Sequence, residues 1–210
     1  MEEHKMGKVE LNKKQKKESL LNTAFSLFTS KGFQNTSISD IVNDAGVAKG
    51  TFYLYFTDKY DIRNKLIAHK AGNLFLDAYE SLDTEIITEF EDQIIYITDY
   101  IVNRLNEDKS LLGFISKHLS WGVFRNSLIT WQDESDHNVY ACFVQLLHAS
   151  GYEFREPEVM IYMIIELVSG SIYNPILYSQ PVPLDQIKPY LYRSVRQQIK
   201  MHISPQHLSE

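Results

Sequence analysis

TSISDIVNDAGVAKGTFYLYF, Thr36 to Phe56, reads as two helices of about two turns each, joined by Gly46-Val47-Ala48. Ile38, Ile41, Val42 and Ala45 recur at helical spacing and stop at Gly46, and a further helix runs from about Lys49 to Phe56. Glycine at the turn permits a left-handed backbone. Ile41, Val42, Ala45, Val47 and Phe52 have the spacing of a small core between the two helices. Phe52 and Phe56, four apart, face inward, which leaves Gly50, Thr51, Leu54 and Tyr55 on the opposite side. This is the pattern of a helix-turn-helix, whose turn must hold the second helix rigidly across the first. Taken alone, Phe52 to Phe56 also fits a buried strand.

The outer face has the chemistry of a nucleic-acid contact. Lys49 stands at the start of the second helix, where it can pair with phosphate. Thr36 and Ser37, at the start of the first, can offer hydroxyls and backbone N–H groups to phosphate oxygens. Gly50 lets a helix approach a groove. Thr51 carries a hydroxyl and a methyl for base edges, and Leu54 sits beside it on the same face. Tyr53 and Tyr55 can reach phosphate while packing on sugars, and Lys59 adds a cation at the next helix start.

Outward from this stretch nearly everything is helical. Leu20, Leu21, Ala24, Phe25 and Phe28 form one stripe, preceded by Lys13, Lys14, Lys16 and Lys17 and closed by Lys31-Gly32-Phe33. Asn35-Thr36 offers the next helix an N-cap. Asp58 followed by Asp61 resembles a capping box opening a longer helix to about Tyr79. Beyond residue 80 the spacing predicts helices over Ile86–Leu105, Leu111–Leu119, Phe124–Trp131, Asn138–Ala149, Pro157–Tyr178 and Leu184–Ile203. No alternating strand pattern, repeat or low-complexity segment interrupts them, so the fold class is all-α.

Charge divides the chain. Residues 1–70 carry 12 Lys+Arg against 8 Asp+Glu, a net +4, while the whole chain is at −6, leaving −10 for residues 71–210. A basic head on an acidic body points to an anionic partner for the head and a different task for the rest. One cysteine cannot form an internal disulfide, and no signal-peptide core precedes the first helix, so a soluble cytoplasmic protein is expected. Pro157–Tyr178 has the length of a membrane span, but Glu166, Asn174 and Pro175 interrupt it. A helix apolar nearly all round is more often buried in an interface, and Ser169-Gly170-Ser171 would let another helix approach closely. No membrane is expected.

Enzymatic readings find little. The chain has no G-x-S-x-G elbow, no P-loop and no G-x-G-x-x-G after a strand, so no catalytic residue and no cofactor is assigned. Cys142 on an apolar helix reads as a buried thiol. Asp133, Glu134, Asp136 and His137 lack an ordered ligand spacing, so no metal site is assigned. The body is rich in aromatics that can line a mostly apolar pocket with a few polar groups: Tyr96, Tyr100, Phe114, His118, Trp121, Phe124, Tyr140, Phe143 and Tyr162, with Glu166 as the pointed polar member. Core packing is the competing explanation for each of them singly.

From Lys13 to Leu66 the sequence resembles the tetracycline-repressor (TetR) family of bacterial transcriptional regulators. The likeness rests on LLNTAFSLFTSKGF, Thr36, Ile41, Ala45-Gly46-Val47, Lys49-Gly50-Thr51-Phe52-Tyr53, Tyr55-Phe56 and Lys59, with Val42 where alanine is common. Residues 71–210 match in length and helical character alone. The resemblance implies a three-helix DNA-binding domain over residues 12–72 and a helical effector-binding and dimerisation domain over 73–210. It further implies a homodimer through the last two long helices, a near-palindromic double-stranded operator, and repression relieved by a small, largely hydrophobic effector. The reading from another class is a helical interaction module whose basic head binds a protein or an acidic surface.

Overall fold

The structure is a computed structural model that describes residues 8–116 and 139–204. Among the described residues there are nine helices and no strand, only an isolated bridge between Phe154 and Ile203. They are α1 (Lys8–Ser30), α2 (Ile38–Asp44), α3 (Lys49–Tyr55), α4 (Lys59–Glu80), α5 (Phe90–Glu107), α6 (Lys109–Ser116), α7 (Val139–Ala149), α8 (Pro157–Tyr178) and α9 (Leu184–His202). The chain divides into two compact units, Met1–Ile67 and Ala68–Glu210, with the division falling inside α4.

The first unit is a three-helix head with the opening turns of α4. Leu20, Leu21, Ala24, Leu27 and Phe28 of α1 are buried together with Ile41 and Val42 of α2, Phe52 of α3, Phe56, and Ile62, Leu66 and Ile67 of α4. Helix α1 starts well before its apolar stripe, because Lys8 to Ser19 is dominated by lysine, glutamine and glutamate, all good helix formers. Gly32 takes φ of +84° beyond the end of α1, and Phe33 then folds back on Phe28 with ring centroids 5.1 Å apart. Asp58 caps α4 as the spacing predicts, accepting the Asp61 N–H at 2.8 Å. The reciprocal bond reaches one residue further back than a capping box, from the Thr57 N–H to Asp61 Oδ2 at 2.8 Å.

The second unit is built around α5, α6, α8 and α9. Phe90, Ile94 and Ile97 of α5, Leu112 and Ile115 of α6, Phe143 and Leu146 of α7, Met160, Ile164 and Ile172 of α8, and Leu191, Val195 and Ile199 of α9 fill one core. The most extensive pairing is α8 with α9. A polar cluster ties α9 to α5: Lys188 Nζ donates to Asp99 Oδ1 at 2.8 Å and to Asn103 Oδ1 at 2.5 Å, and Tyr192 Oη donates to Asp99. Burial alone would push the Asp99 carboxyl up. The bonds from Lys188, Tyr192 and Asn103, with the Lys188 charge, outweigh it and hold the group below the usual carboxylate range. Burial and the same carboxylate push the Tyr192 phenol well up. Arg196 adds a second link to Glu91 and Asp92.

Two helix boundaries differ from expectation. The helix expected from Ile86 starts at Phe90, because the Asp83 carboxylate accepts the N–H groups of Glu85 and Ile86 and turns the chain. Gln93 then reaches back to the Ile87 carbonyl at 2.9 Å. Helix α6 spans Lys109–Ser116. The remainder of the expected Leu111–Leu119 helix, and all of Phe124–Trp131, lie outside the described residues.

Candidate nucleic-acid interface

Helix α2 is opened by Ser37, not by Asn35-Thr36. The Ser37 hydroxyl accepts the Asp40 N–H at 3.1 Å, and the Asp40 carboxylate takes both the Ser37 N–H at 2.8 Å and its hydroxyl at 2.7 Å. Those bonds from Ser37 hold the Asp40 carboxyl below its ordinary range. At the other end of α2, Gly46 stands at φ of +67°, and the Val47 N–H returns to the Val42 carbonyl at 3.0 Å. The turn is thereby closed, and α3 starts from Ala48 with the Thr51 N–H on the Ala48 carbonyl at 2.8 Å.

Helix α3 is held by its inner face. Phe52 and Phe56 are fully buried with ring centroids 5.4 Å apart, as their spacing predicts. The outer face carries Lys49, Gly50, Tyr53 at 53% exposure and Leu54 at 79%. Thr51 and Tyr55 are half-buried at its margins. Leu54, an apolar side chain, is thus the most open large hydrophobic of this face, next to Tyr53. Gly50 belongs to the same surface: a Cβ built there meets nothing within 4 Å and its φ is not positive, so nothing inside the chain requires glycine.

Two lysines of α4 lock this arrangement. Lys59 Nζ donates to the carbonyls of Phe33 at 2.8 Å and Thr36 at 2.9 Å and lies 4.4 Å from the centre of the Phe33 ring. The Arg63 guanidinium covers Phe33 and Tyr60 as well, at 4.7 and 5.3 Å. Lys65 Nζ donates to the Tyr55 carbonyl at the end of α3, at 3.0 Å, and to Asp61 at 3.1 Å. The entry to α2 and the exit from α3 are thus both pinned to α4. Lys65 and Arg63 were not singled out from the sequence, and Phe33 was read only as the apolar contact after Gly32; the Asp61–Lys65 pair at i,i+4 was the available signal.

Three expected phosphate contacts are corrected by this geometry. Thr36 is buried, with its hydroxyl donating to the carbonyls of Gly32 at 2.9 Å and Leu27 at 3.3 Å, so it ties α1 to α2. Ser37 commits its hydroxyl and its N–H to Asp40. Lys59 turns its ammonium inward onto two carbonyls. The exposed set that the structure brings together is Lys49, Gly50, Tyr53 and Leu54, with Thr51 and Tyr55 beside it.

Seven of the ten residues expected to line an effector pocket lie among the described residues. His118, Trp121 and Phe124 lie outside the described residues, as do Asp133 to His137. Phe114 is buried, and Phe143 is part of the core. Tyr140, Tyr162 and Glu166 are exposed. Tyr96 and Tyr100 pack half-buried on the core, and the Tyr96 hydroxyl donates to the Ser81 carbonyl at 3.0 Å. Of the ten, Tyr96 lines an open groove of about 530 Å³, with Ile86, Ile87, Thr88, Ile95 and Tyr192 among its other walls. Periodicity finds apolar positions, but it cannot tell a pocket wall from a core. Cys142 is buried, as read.

An all-α chain with a closed helix-turn-helix and an open second-helix face belongs to the class of helix-turn-helix proteins. Residues 20–66 match the model of bacterial regulatory proteins, tetR family. The HTH-type transcriptional regulator YvdT of Bacillus subtilis is 43% identical over 67 residues, 32% of each chain. The fatty acid metabolism regulator protein of Bacillus subtilis is 32% identical over 88 residues, 42% of this chain and 45% of that one. The matches therefore span about a third to a half of these relatives. Solved structures resemble the whole fold. A TetR transcriptional regulator from Rhodococcus sp. RHA1 aligns over 90% of this chain and 97% of its own at TM-score 0.63 and 15% identity. The fatty acid degradation regulator FadR from Bacillus halodurans aligns over 91% and 96% at TM-score 0.56 and 21% identity.

Proposed function

We propose that the protein is a sequence-specific DNA-binding transcriptional regulator, a repressor that leaves its operator when a small, largely hydrophobic effector binds its body. The observation that carries this is the outer face of α3: Lys49, Gly50, Tyr53 and Leu54 stand exposed on a helix whose other face is locked by Phe52, Phe56 and Lys65. In the major groove, Lys49 pairs with phosphate and Gly50 allows close approach. Thr51 and Leu54 meet base edges, while Tyr53 and Tyr55 meet the backbone.

The same reading makes the protein a homodimer through α8 and α9. Val159, Met163, Glu166, Gly170, Asn174 and Tyr178, three or four apart, form one exposed stripe along α8, and Gln186, Tyr190, Arg193, Gln197 and Met201 form another along α9. Only 28% of the apolar stretch of α8 is buried within one chain. A second copy covering these stripes accounts for that exposure, and the open space at Gly170 leaves room for a helix to come close. A two-fold dimer then reads a near-palindromic site. Two relatives carry fatty-acid metabolism in their names, which supports an apolar effector, with Tyr96 and Tyr100 as its candidate contacts.

The test is fluorescence anisotropy with duplexes selected from a random pool, read at two salt concentrations. Selective binding that weakens steeply with salt supports the reading, as does release on adding a long-chain fatty acid or its coenzyme A thioester. Capture of no duplex sequence over a scrambled control, with binding instead to acidic proteins, would replace it with an interaction module.

A further inference from the structure

The exposed stripe of α8 has one charged member, Glu166, and the exposed stripe of α9 has one, Arg193. Their neighbours along the stripes are Met163 and Gly170 on α8, and Tyr190 and Gln197 on α9. Both charged side chains are exposed on the single chain, and among the described residues neither makes a hydrogen bond or an ion pair. Other cations of α9 are used differently. Lys188 is taken up by Asp99, and Arg196 by Glu91 and Asp92, all on α5.

The two charges stand at one level. Residues 179–183 connect α8 to α9 at one end of the pair. At the other end the Arg155 N–H donates to the His202 carbonyl at 2.7 Å, and the Ser204 N–H to the Glu153 carbonyl at 2.8 Å. The helices therefore run antiparallel. Glu166 lies eleven residues inside Arg155 and twelve inside Tyr178, and the same steps inward from His202 and Leu184 end at Leu191 and Arg196. Arg193 falls between those two. Each charge is also within one turn of the middle of its own stripe.

That central level has a consequence for a two-fold pair. A two-fold axis either keeps a residue's level along the helices or reflects it about the middle, so central residues of one copy come against central residues of the other. A lone charge covered there would be costly to bury. One acid and one base at the same level in each copy can instead be matched crosswise, and matched twice.

We infer that Glu166 pairs with the partner's Arg193 and Arg193 with the partner's Glu166, and that this crossed pair decides which chain is accepted as partner. This rests on the homodimer reading above and names the residues that select the second copy. Such a pair supplies discrimination more than raw affinity, because a helix pair without the matching charges leaves both buried and unpaired.

The experiment uses the full chain and two variants, Glu166→Arg and Arg193→Glu. Each places like charges at both crossings of its own homodimer, whereas a mixed dimer of the two variants has opposite charges at both. Sedimentation equilibrium reads the dimer Kd, native mass spectrometry separates the mixed dimer from either homodimer, and circular dichroism reads helix content. Wild type should be a dimer, and each variant alone should dimerise about 100-fold more weakly. An equimolar mixture should return to within about tenfold of wild type, with the mixed dimer dominant. Both substitutions in one chain should restore the homodimer. Helix lost in the separate variants and regained on mixing is the same result for a chain that folds as it assembles. Variants that dimerise as tightly as wild type overturn the crossed pair and leave the homodimer standing. Variants that dissociate, or lose helix, and do not recover on mixing also overturn it. A monomeric wild type overturns the pair and the homodimer together.

Discussion

The head and the body of this chain are both helical, yet they spend their polar groups differently. In the head, polar side chains close the ends of elements: Ser37 and Asp40 cap α2, Thr36 bridges α1 to α2, and Lys59 and Lys65 hold the carbonyls at the entry to α2 and the exit from α3. What remains exposed on α3 is a deliberate face. In the body, the polar bonds tie long helices side by side, as Asp99, Asn103, Lys188 and Tyr192 do between α5 and α9. The exposed remainder there includes a stripe along α8 that mixes Val159, Met163 and Tyr178 with Glu166 and Asn174. On the proposed reading the first surface meets a nucleic acid and the second another helix.

The strongest way to break that comparison is to remove the centre of the head. Phe52 has no exposed surface, so Phe52→Ala should cost about 3–5 kcal/mol. A head this small has little stability beyond that. Calorimetry should show the head's transition lost and DNA affinity gone, with the body's helices retained. Loss of both transitions together would mean that the chain folds as one unit and the division after Ile67 has no thermodynamic meaning.

A smaller effect separates two lysines that look alike in sequence. Lys59→Met leaves the Phe33 and Thr36 carbonyls without their charged donor and should cost the head about 1.5–3 kcal/mol. Lys49→Met removes an exposed charge and should stay within about 0.5 kcal/mol in stability while lowering affinity for every duplex and flattening the salt slope. Chemical denaturation and anisotropy on the same two variants give the comparison. Equal stability losses would end the assignment of Lys59 as a clamp.

That pair also shows what the sequence could carry. Two helices, the glycine turn and the inward pair Phe52–Phe56 follow from local spacing, and the structure has them. Which way Lys59 points depends on carbonyls 26 and 23 residues earlier in the chain, and no local pattern contains that. Thr36 was misread for the same reason, since its acceptors lie four and nine residues back in α1 and the loop after it. In the described part of the body the helices were legible from their periodicity apart from the start at Phe90, but the partition of aromatics between core and exposed stripe was not. Phe143 and Tyr140 differ only by their angle around α7.

The body's own polar cluster should respond to pH. Tyr192→Phe removes a bond to a carboxylate that is partly open to solvent, so it should cost about 1 kcal/mol at neutral pH. Asp99 is held below its ordinary range in the folded chain. Its contribution is therefore fully present above the unfolded carboxylate pKa and is lost as pH falls through the lower folded value. The difference between wild type and variant should accordingly hold from neutral pH down to about pH 4 and shrink below it. A difference that grew on acidification would show that Tyr192 acts through some group other than Asp99.

The smallest effect carries the sharpest distinction, because it runs in opposite directions for the fold and for the function. Gly50 lies inside α3 with no positive φ and with open space where a Cβ would stand. For the isolated chain, Gly50→Ala should raise stability by about 0.5–1 kcal/mol, since alanine loses less backbone freedom in a helix. If glycine is present to let α3 approach a groove, the same methyl should meet DNA. Operator affinity should then fall while the head melts at a higher temperature. A variant that is more stable and binds as tightly as wild type would remove Gly50 from the interface and shift recognition toward Tyr53 and Leu54. A variant that is less stable would mean that α3 is shaped by contacts the outer face does not reveal. Only the opposed pair, firmer fold and weaker grip, fits a face whose composition answers to a partner outside the chain.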